Sequence, residues 1–175
     1  MSEPFGGKPH DALVLRAERW LRNQGCQVVI RDPFRTVNQE QPDAIGWRSG
    51  VSIVIECKVS RSDFFADAKK SFRARSGEGM GHWRFYLCPP EVIEVEDLPG
   101  GWGLLYAAEK TIRKVHGVPP NTGWYTRAPF MPNLRAESIV MQSALRRMQL
   151  RGHLQEIYEP IHKGPAVIDR DNWAL

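Results

Sequence analysis

The run Val51 to Val59, VSIVIECKV, constrains the fold more than any other stretch of the chain. Successive side chains of a strand point to opposite faces. Val51, Ile53, Ile55, Cys57 and Val59 therefore share one side, and Ser52, Val54, Glu56, Lys58 and Ser60 share the other. The odd side is apolar and reads as core. The even side carries an acid and a lysine as neighbours, roughly 6–7 Å apart along the strand. Upstream, Asp43 to Trp47 reads as a short strand, and Arg48-Ser49-Gly50 turns it back into a hairpin with the apolar run.

The rest of the chain supplies layers to cover this strand. His10 to Gln24 has helical spacing in Leu13, Ala17, Trp20, Leu21 and Gln24, with Gly25 as a stop. Cys26 to Ile30 reads as a strand. Ser62 to Arg75 is predicted as a helix, with Ser62 as its N-cap and Phe64, Phe65, Ala68 and Phe72 as an apolar stripe. Strands are predicted at His82–Cys88, Val92–Val95, Trp102–Ala107 and Lys110–Val115. Residues 117–133 read as loop. Leu134 to Arg151 is a second long helix with Ile139, Val140, Ala144, Leu145 and Met148 on its apolar side. This order predicts an α/β fold, a mixed β-sheet flanked by helices. The expected organisation is an arm over residues 1–9, one domain over 10–157 and a tail over 158–175, within the size of a single domain.

Composition excludes several classes. The three cysteines, Cys26, Cys57 and Cys88, are scattered and form no C-x-x-C spacing, so neither a disulfide framework nor a structural zinc site is expected. That pattern fits a reducing, cytoplasmic setting. The start of the chain lacks the apolar stretch of a signal peptide, and no apolar run approaches the ~20 residues that span a bilayer. No membrane partner is expected. A net charge of +4 and a pI near 9.1 permit nucleic-acid binding without requiring it. The five histidines show no metal-ligand spacing.

The chemistry concentrates at the hairpin. Two carboxylates held together repel unless a cation neutralises them, and oxygen ligands suit Mg²⁺ or Mn²⁺. The hairpin brings Asp43 towards Glu56. With the backbone carbonyl of Cys57, these two acids could hold such an ion, and Lys58 could orient a water or offset charge on phosphorus. Cys57 itself points to the apolar side and reads as a core thiol. Each piece alone has a bland reading, Glu-x-Lys as a solvated pair on an exposed strand and Pro-Asp as a turn. The combination of Pro-Asp, turn, apolar strand, Glu-x-Lys and helix narrows the choice.

Pro42-Asp43 with Glu56-Cys57-Lys58 resembles the PD-(D/E)xK nuclease superfamily. The segment from Ile55 to Lys69, IECKVSRSDFFADAK, is similar to the corresponding segment of MmcB-like DNA repair proteins. The likeness is strong over 42–70 and extends weakly over 10–150. It implies a restriction-endonuclease-like core, Asp43, Glu56 and Lys58 as the catalytic set, and metal-dependent DNA cleavage. It also implies a supporting cast. Glu18 on the first helix could reach the metal. Ser60, Asp63 and Asp67 could brace the site. Lys69, Lys70 and Arg73 would meet DNA. The chain departs from the family pattern where Lys70 follows Lys69 and in the glycine-rich Ser76–Gly81, so substrate preference does not carry over. Arg146, Arg147 and Arg151 add a basic patch suited to phosphate, and Trp83 and Trp124 could stack on unpaired bases, whereas Trp102 reads as core.

Taken together, the expectation is a Mg²⁺- or Mn²⁺-dependent deoxyribonuclease in repair, recombination or the processing of phage or foreign DNA. Its compact size suggests a homodimer mate or a partner protein for specificity. The alternative is a catalytically silent nucleic-acid-binding or adaptor module on a nuclease fold.

Overall fold

A computed structural model describes residues 9–32, 40–68 and 77–160. The first helix, α1, spans Pro9–Asn23, and Gly25 (φ 86°) ends it in the left-handed region. Strand β1 (Val28–Arg31) follows, then β2 (Ala44–Arg48) and β3 (Val51–Cys57). Ser49 (φ 45°) and Gly50 (φ 84°) join β2 to β3, with Arg48 facing Val51. Positive φ at both turn residues marks the two-residue hairpin whose twist matches its strands. Helix α2 (Arg61–Ala68) leads on towards β4 (Trp83–Cys88). A 3-10 turn at Val95–Asp97 precedes β5 (Gly103–Ala107) and β6 (Ile112–His116). A short helix α3 (Gly123–Thr126) and the long α4 (Leu134–Leu150) complete the order, with a final 3-10 turn at Leu154–Tyr158.

The six strands form one sheet in sequence order, β1 to β6. The pairs β1/β2, β2/β3 and β5/β6 are antiparallel, whereas β3/β4 and β4/β5 are parallel. The sheet is therefore mixed and lies among helices, as the order of elements predicts. All seven residues of β3 are buried, because both faces are covered. On one face Ile53, Ile55, Cys57, Phe85 and Leu87 pack against Leu13, Ala17, Trp20 and Leu21 of α1. Gly46 of β2 permits that approach, since a Cβ there would lie 2.8 Å from Cys26 Sγ. On the other face Phe64 of α2 packs with Tyr86, Trp102 and Leu104, and Ala136 and Val140 of α4 pack with Ile45 and Val54.

Several expected element assignments need correction. Val92–Val95 is not a strand, and residues 117–133 contain α3. Ser60 rather than Ser62 caps α2: Asp63 N–H donates to Ser60 Oγ at 3.3 Å, and Phe64 N–H to the Ser60 carbonyl at 3.2 Å. β3 ends at Cys57 rather than Val59. The chain divides into two compact units, Met1–Val140 and Met141–Leu175. The sheet belongs wholly to the first. In the second, Leu145 and Leu150 are more than half exposed, so the apolar side expected for α4 is buried only towards its start, at Ala136 and Val140. Among the described residues no helix is long and apolar enough to cross a membrane.

Candidate functional site

Asp43 stands immediately before β2. Ala44 pairs with Ile55, so the next step outward sets Asp43 across from Glu56. The register thus sets the two acids at the same end of the hairpin. Asp43 is fixed from two sides. Its Oδ2 accepts a hydrogen bond from Cys57 N–H at 2.7 Å, and its Oδ1 lies 3.4 Å from His10 Nε2 at the start of α1. Its carbonyl accepts from Asp32 N–H at 2.9 Å. The Asp32 carboxyl is raised above its usual range, chiefly by burial and then by the charge of Asp43.

Glu56 and Lys58 are 2 % and 5 % exposed, which rules out the solvated-pair reading. α2 covers them. Lys58 Nζ sits 3.7 Å from Glu56 Oε2 and 3.5 Å from Oδ1 of Asp67, a buried residue of α2. Asp67 Oδ2 accepts a hydrogen bond from the Tyr86 hydroxyl at 3.1 Å. Tyr86 is held in turn by stacking on Trp102, centroids 4.4 Å apart, and by an edge contact with Phe64. Burial alone would lower the Lys58 pKa. Glu56, Asp67, Asp63 and Asp43 outweigh it and raise the pKa, so the lysine stays an ammonium ion. Lys58 thus lies in a mainly acidic environment. The Cys57 thiol is pushed well above its usual range by burial, then by Asp43 and Glu56. It stays protonated and packs in the core, as its parity predicts.

The donors fit a hard divalent ion in kind. They are two carboxylates at one strand end, Asp43 and Glu56, and the carbonyl of Cys57, the residue whose N–H binds Asp43. Among the described residues no cluster of three or more acidic, histidine or cysteine side chains forms a fuller cage. Mg²⁺ is commonly bound by one or two carboxylates while keeping several waters, so a pair is a sufficient protein contribution.

The other sequence-named residues separate clearly. Asp67 joins the site directly, Asp63 acts on Lys58 electrostatically, and Ser60 serves as a helix cap. Glu18 does not extend the acidic pair. Its oxygens pair with Arg22 at 2.9 Å and Arg31 at 3.0 Å. Lys69, Lys70 and Arg73 lie outside the described residues. Arg146, Arg147 and Arg151 are exposed on and just after α4. Trp83, Trp102 and Trp124 are 6 %, 2 % and 1 % exposed, so none offers a stacking surface. Sequence reasoning missed His10, Asp32 and Tyr86. Asp32 carried a signal, since extending the β1/β2 pairing beyond Arg31 and Ala44 sets it opposite Asp43. His10 and Tyr86 carried none, because their contacts depend on how α1 and α2 seat on the sheet.

A second buried polar cluster occupies the opposite end of β3. Glu137 of α4 is 3 % exposed. Its Oε1 accepts from Ser52 Oγ at 2.7 Å and from Gly81 N–H at 2.9 Å, and its Oε2 from Trp47 Nε1 at 3.0 Å. His82 Nδ1 lies 3.1 Å from Ser52 N and 2.8 Å from Ser52 Oγ. Burial lowers the His82 pKa despite the charge of Glu137. Ser52 is fully buried between these partners, so its hydroxyl serves to anchor α4.

No family model matches the chain, and no curated protein matches. A solved structure, the SPO1766 protein of unknown function from Silicibacter pomeroyi, is similar to it. The identity is 25 %, the TM-score is 0.60, and the match covers 93 % of this chain and 99 % of that one. The likeness supports the architecture along almost the whole chain.

Proposed function

We propose that the protein is a divalent-metal-dependent DNA nuclease that hydrolyses phosphodiester bonds, with Mg²⁺ or Mn²⁺ as cofactor. The observation that carries this reading is the placement of Asp43 and Glu56 at one end of the β2/β3 hairpin, with the buried Lys58 ammonium 3.7 Å from Glu56. Asp43, Glu56 and the Cys57 carbonyl would hold the ion. When bound, it would polarise the phosphate and acidify a water.

The chain's own residues have separate tasks. The Cys57 N–H and His10 orient the Asp43 carboxylate. Asp67 and Tyr86 fix the position of Lys58. Lys58 remains charged and offsets the negative charge that grows on the phosphoryl oxygens.

One observation favours the alternative of a silent DNA-binding module. Lys58 is held between two carboxylates and is only 5 % exposed. A single assay separates the readings. Plasmid, linear, single-stranded and branched DNA are incubated with Mg²⁺, Mn²⁺ or EDTA, beside Asp43→Ala and Lys58→Ala. Cleavage that needs metal and is lost in both variants is the expected result. DNA binding without any cleavage would establish the silent module. Normal cutting by both variants would move the site elsewhere. Repair, recombination and phage-DNA processing are all served by such an activity, and size-exclusion chromatography with and without DNA would reveal a homodimer.

A further inference from the structure

A cavity of about 310 Å³ opens between α1 and the carboxyl ends of β3, β4 and β5. That is the lower end of the roughly 300–1,000 Å³ range of ligand pockets, and it suits a body of one or two rings. Val59, Pro89 and Ala107, at or just past the three strand ends, form one wall. The other is a stripe of α1 at helical spacing, Pro9, Ala12, Leu13 and Arg16. Arg16 is the only charged residue of the lining, so the cavity offers one cation in an otherwise apolar surface.

Arg16 is fixed in place, yet its charge has no protein counter-ion. Its Nη2 donates to the carbonyls of Ala108 and Thr111, at 2.5 and 2.8 Å, and both acceptors are neutral. Nε and Nη1 carry further N–H donors, and among the described residues no carboxylate pairs with Arg16. Burial and then the neighbouring cation Arg19 lower its pKa, so the protein supplies repulsion here where an anion would supply balance. The first turn of α1 adds the positive end of the helix dipole, which favours an anion. Asp11, the acid of that turn, falls outside the lining stripe.

We propose that this cavity binds a small organic acid, its apolar ring between α1 and the strand ends and its carboxylate on Arg16. A guanidinium fork held by two backbone carbonyls is preorganised for a planar carboxylate. One cation balances a monoanion, and a bare phosphate would leave the apolar walls unused. Neither Asp43 nor Glu56 belongs to the lining, so the site is independent of the nuclease reading.

The test follows amide chemical shifts of the isotope-labelled protein during titration with indole-3-acetate, the neutral indole-3-ethanol, the cationic tryptamine and inorganic phosphate. The wild type is compared with Arg16→Gln, which removes the charge, and with Ala12→Trp, which fills the cavity from an exposed position. Thermal melts check that each variant folds, and should Ala12→Trp fail to fold, Arg16→Gln alone decides. The expected result is saturable binding of indole-3-acetate, with shifts centred on the start of α1, Val59 and Ala107. The acid should bind about tenfold more tightly than the alcohol, the worth of one charge-assisted hydrogen bond, and tryptamine more weakly still. Arg16→Gln should bring the acid to the level of the alcohol, and Ala12→Trp should abolish the binding of both. Equal affinity for acid and alcohol, an acid preference that survives in folded Arg16→Gln, or no binding by the wild type would overturn the proposal. Binding of phosphate as tight as that of the acid would also overturn it, since the apolar walls would then play no part.

Discussion

The even face of β3 carries two buried polar clusters, and they differ in charge balance. At one end Glu137 accepts hydrogen bonds from Ser52, Gly81 and Trp47, all of them neutral donors. At the other end Lys58 lies among Glu56, Asp67, Asp63 and Asp43. Both clusters contain carboxylates that are almost wholly buried. The first is saturated by protein donors and ties the start of α4 to the sheet. The second sets an ammonium group among acids. Burial by itself therefore does not distinguish the two ends of this face, whereas the charge of the partners does.

Substitutions can break this contrast. The largest effect is expected for Asp43→Asn. The variant keeps an oxygen to accept from Cys57 N–H but loses the charge. Cleavage should fall by about a hundredfold or more, with stability changed by only ~1 kcal/mol. A parallel loss of stability and activity would make Asp43 a structural cap for the strand end. The reverse pattern is expected for Glu137→Ala. Three donors lose their acceptor, so the midpoint of urea unfolding should drop by the equivalent of about 3 kcal/mol, while the folded variant still cuts DNA at the wild-type rate.

Tyr86→Phe tests the link between packing and chemistry. It removes one hydrogen bond to Asp67 and leaves the stack on Trp102. A cost of about 1 kcal/mol is expected. If Asp67 positions Lys58, kcat should also fall severalfold with KM unchanged. Equal kcat in the two proteins would reduce Asp67 to a structural partner.

The smallest effect is a pH dependence at the Glu137 end. His82 has its folded pKa below the ordinary 6.5, chiefly through burial. Below that ordinary value the unfolded chain binds the proton more readily than the folded one. The contribution of His82 is thus complete above pH 6.5 and is lost as the pH falls through the folded pKa. Urea melts from pH 7.5 downward should show this decline, and His82→Asn should flatten it. An equally steep decline in the variant would assign the slope to other groups.

Much of the frame was legible in the sequence. Alternation in Val51–Val59 placed Cys57 in the core and Glu56 with Lys58 on the other face, because side-chain parity in a strand is a local property. The hairpin at Ser49-Gly50 was legible for the same reason, and it sets Asp43 across from Glu56. Periodicity located α1 and α4 to within a residue or two at each end. Polarity was misleading elsewhere. Ser52, Glu56 and Lys58 looked fit for solvent, yet the even face is roofed by α2 and the start of α4.

The sequence by itself determined the strand that carries the Glu56–Lys58 pair, the hairpin that returns Asp43 to it, and the sign of the charges gathered there. These follow from spacing along a few dozen residues. Only the tertiary structure decided that His10 meets Asp43, that Asp67 and Tyr86 hold Lys58, and that Glu18 pairs with arginines. Each of these contacts depends on how a helix settles on a sheet face, where side chains distant in sequence compete for the same partners. That competition is decided by packing, and no local pattern records it.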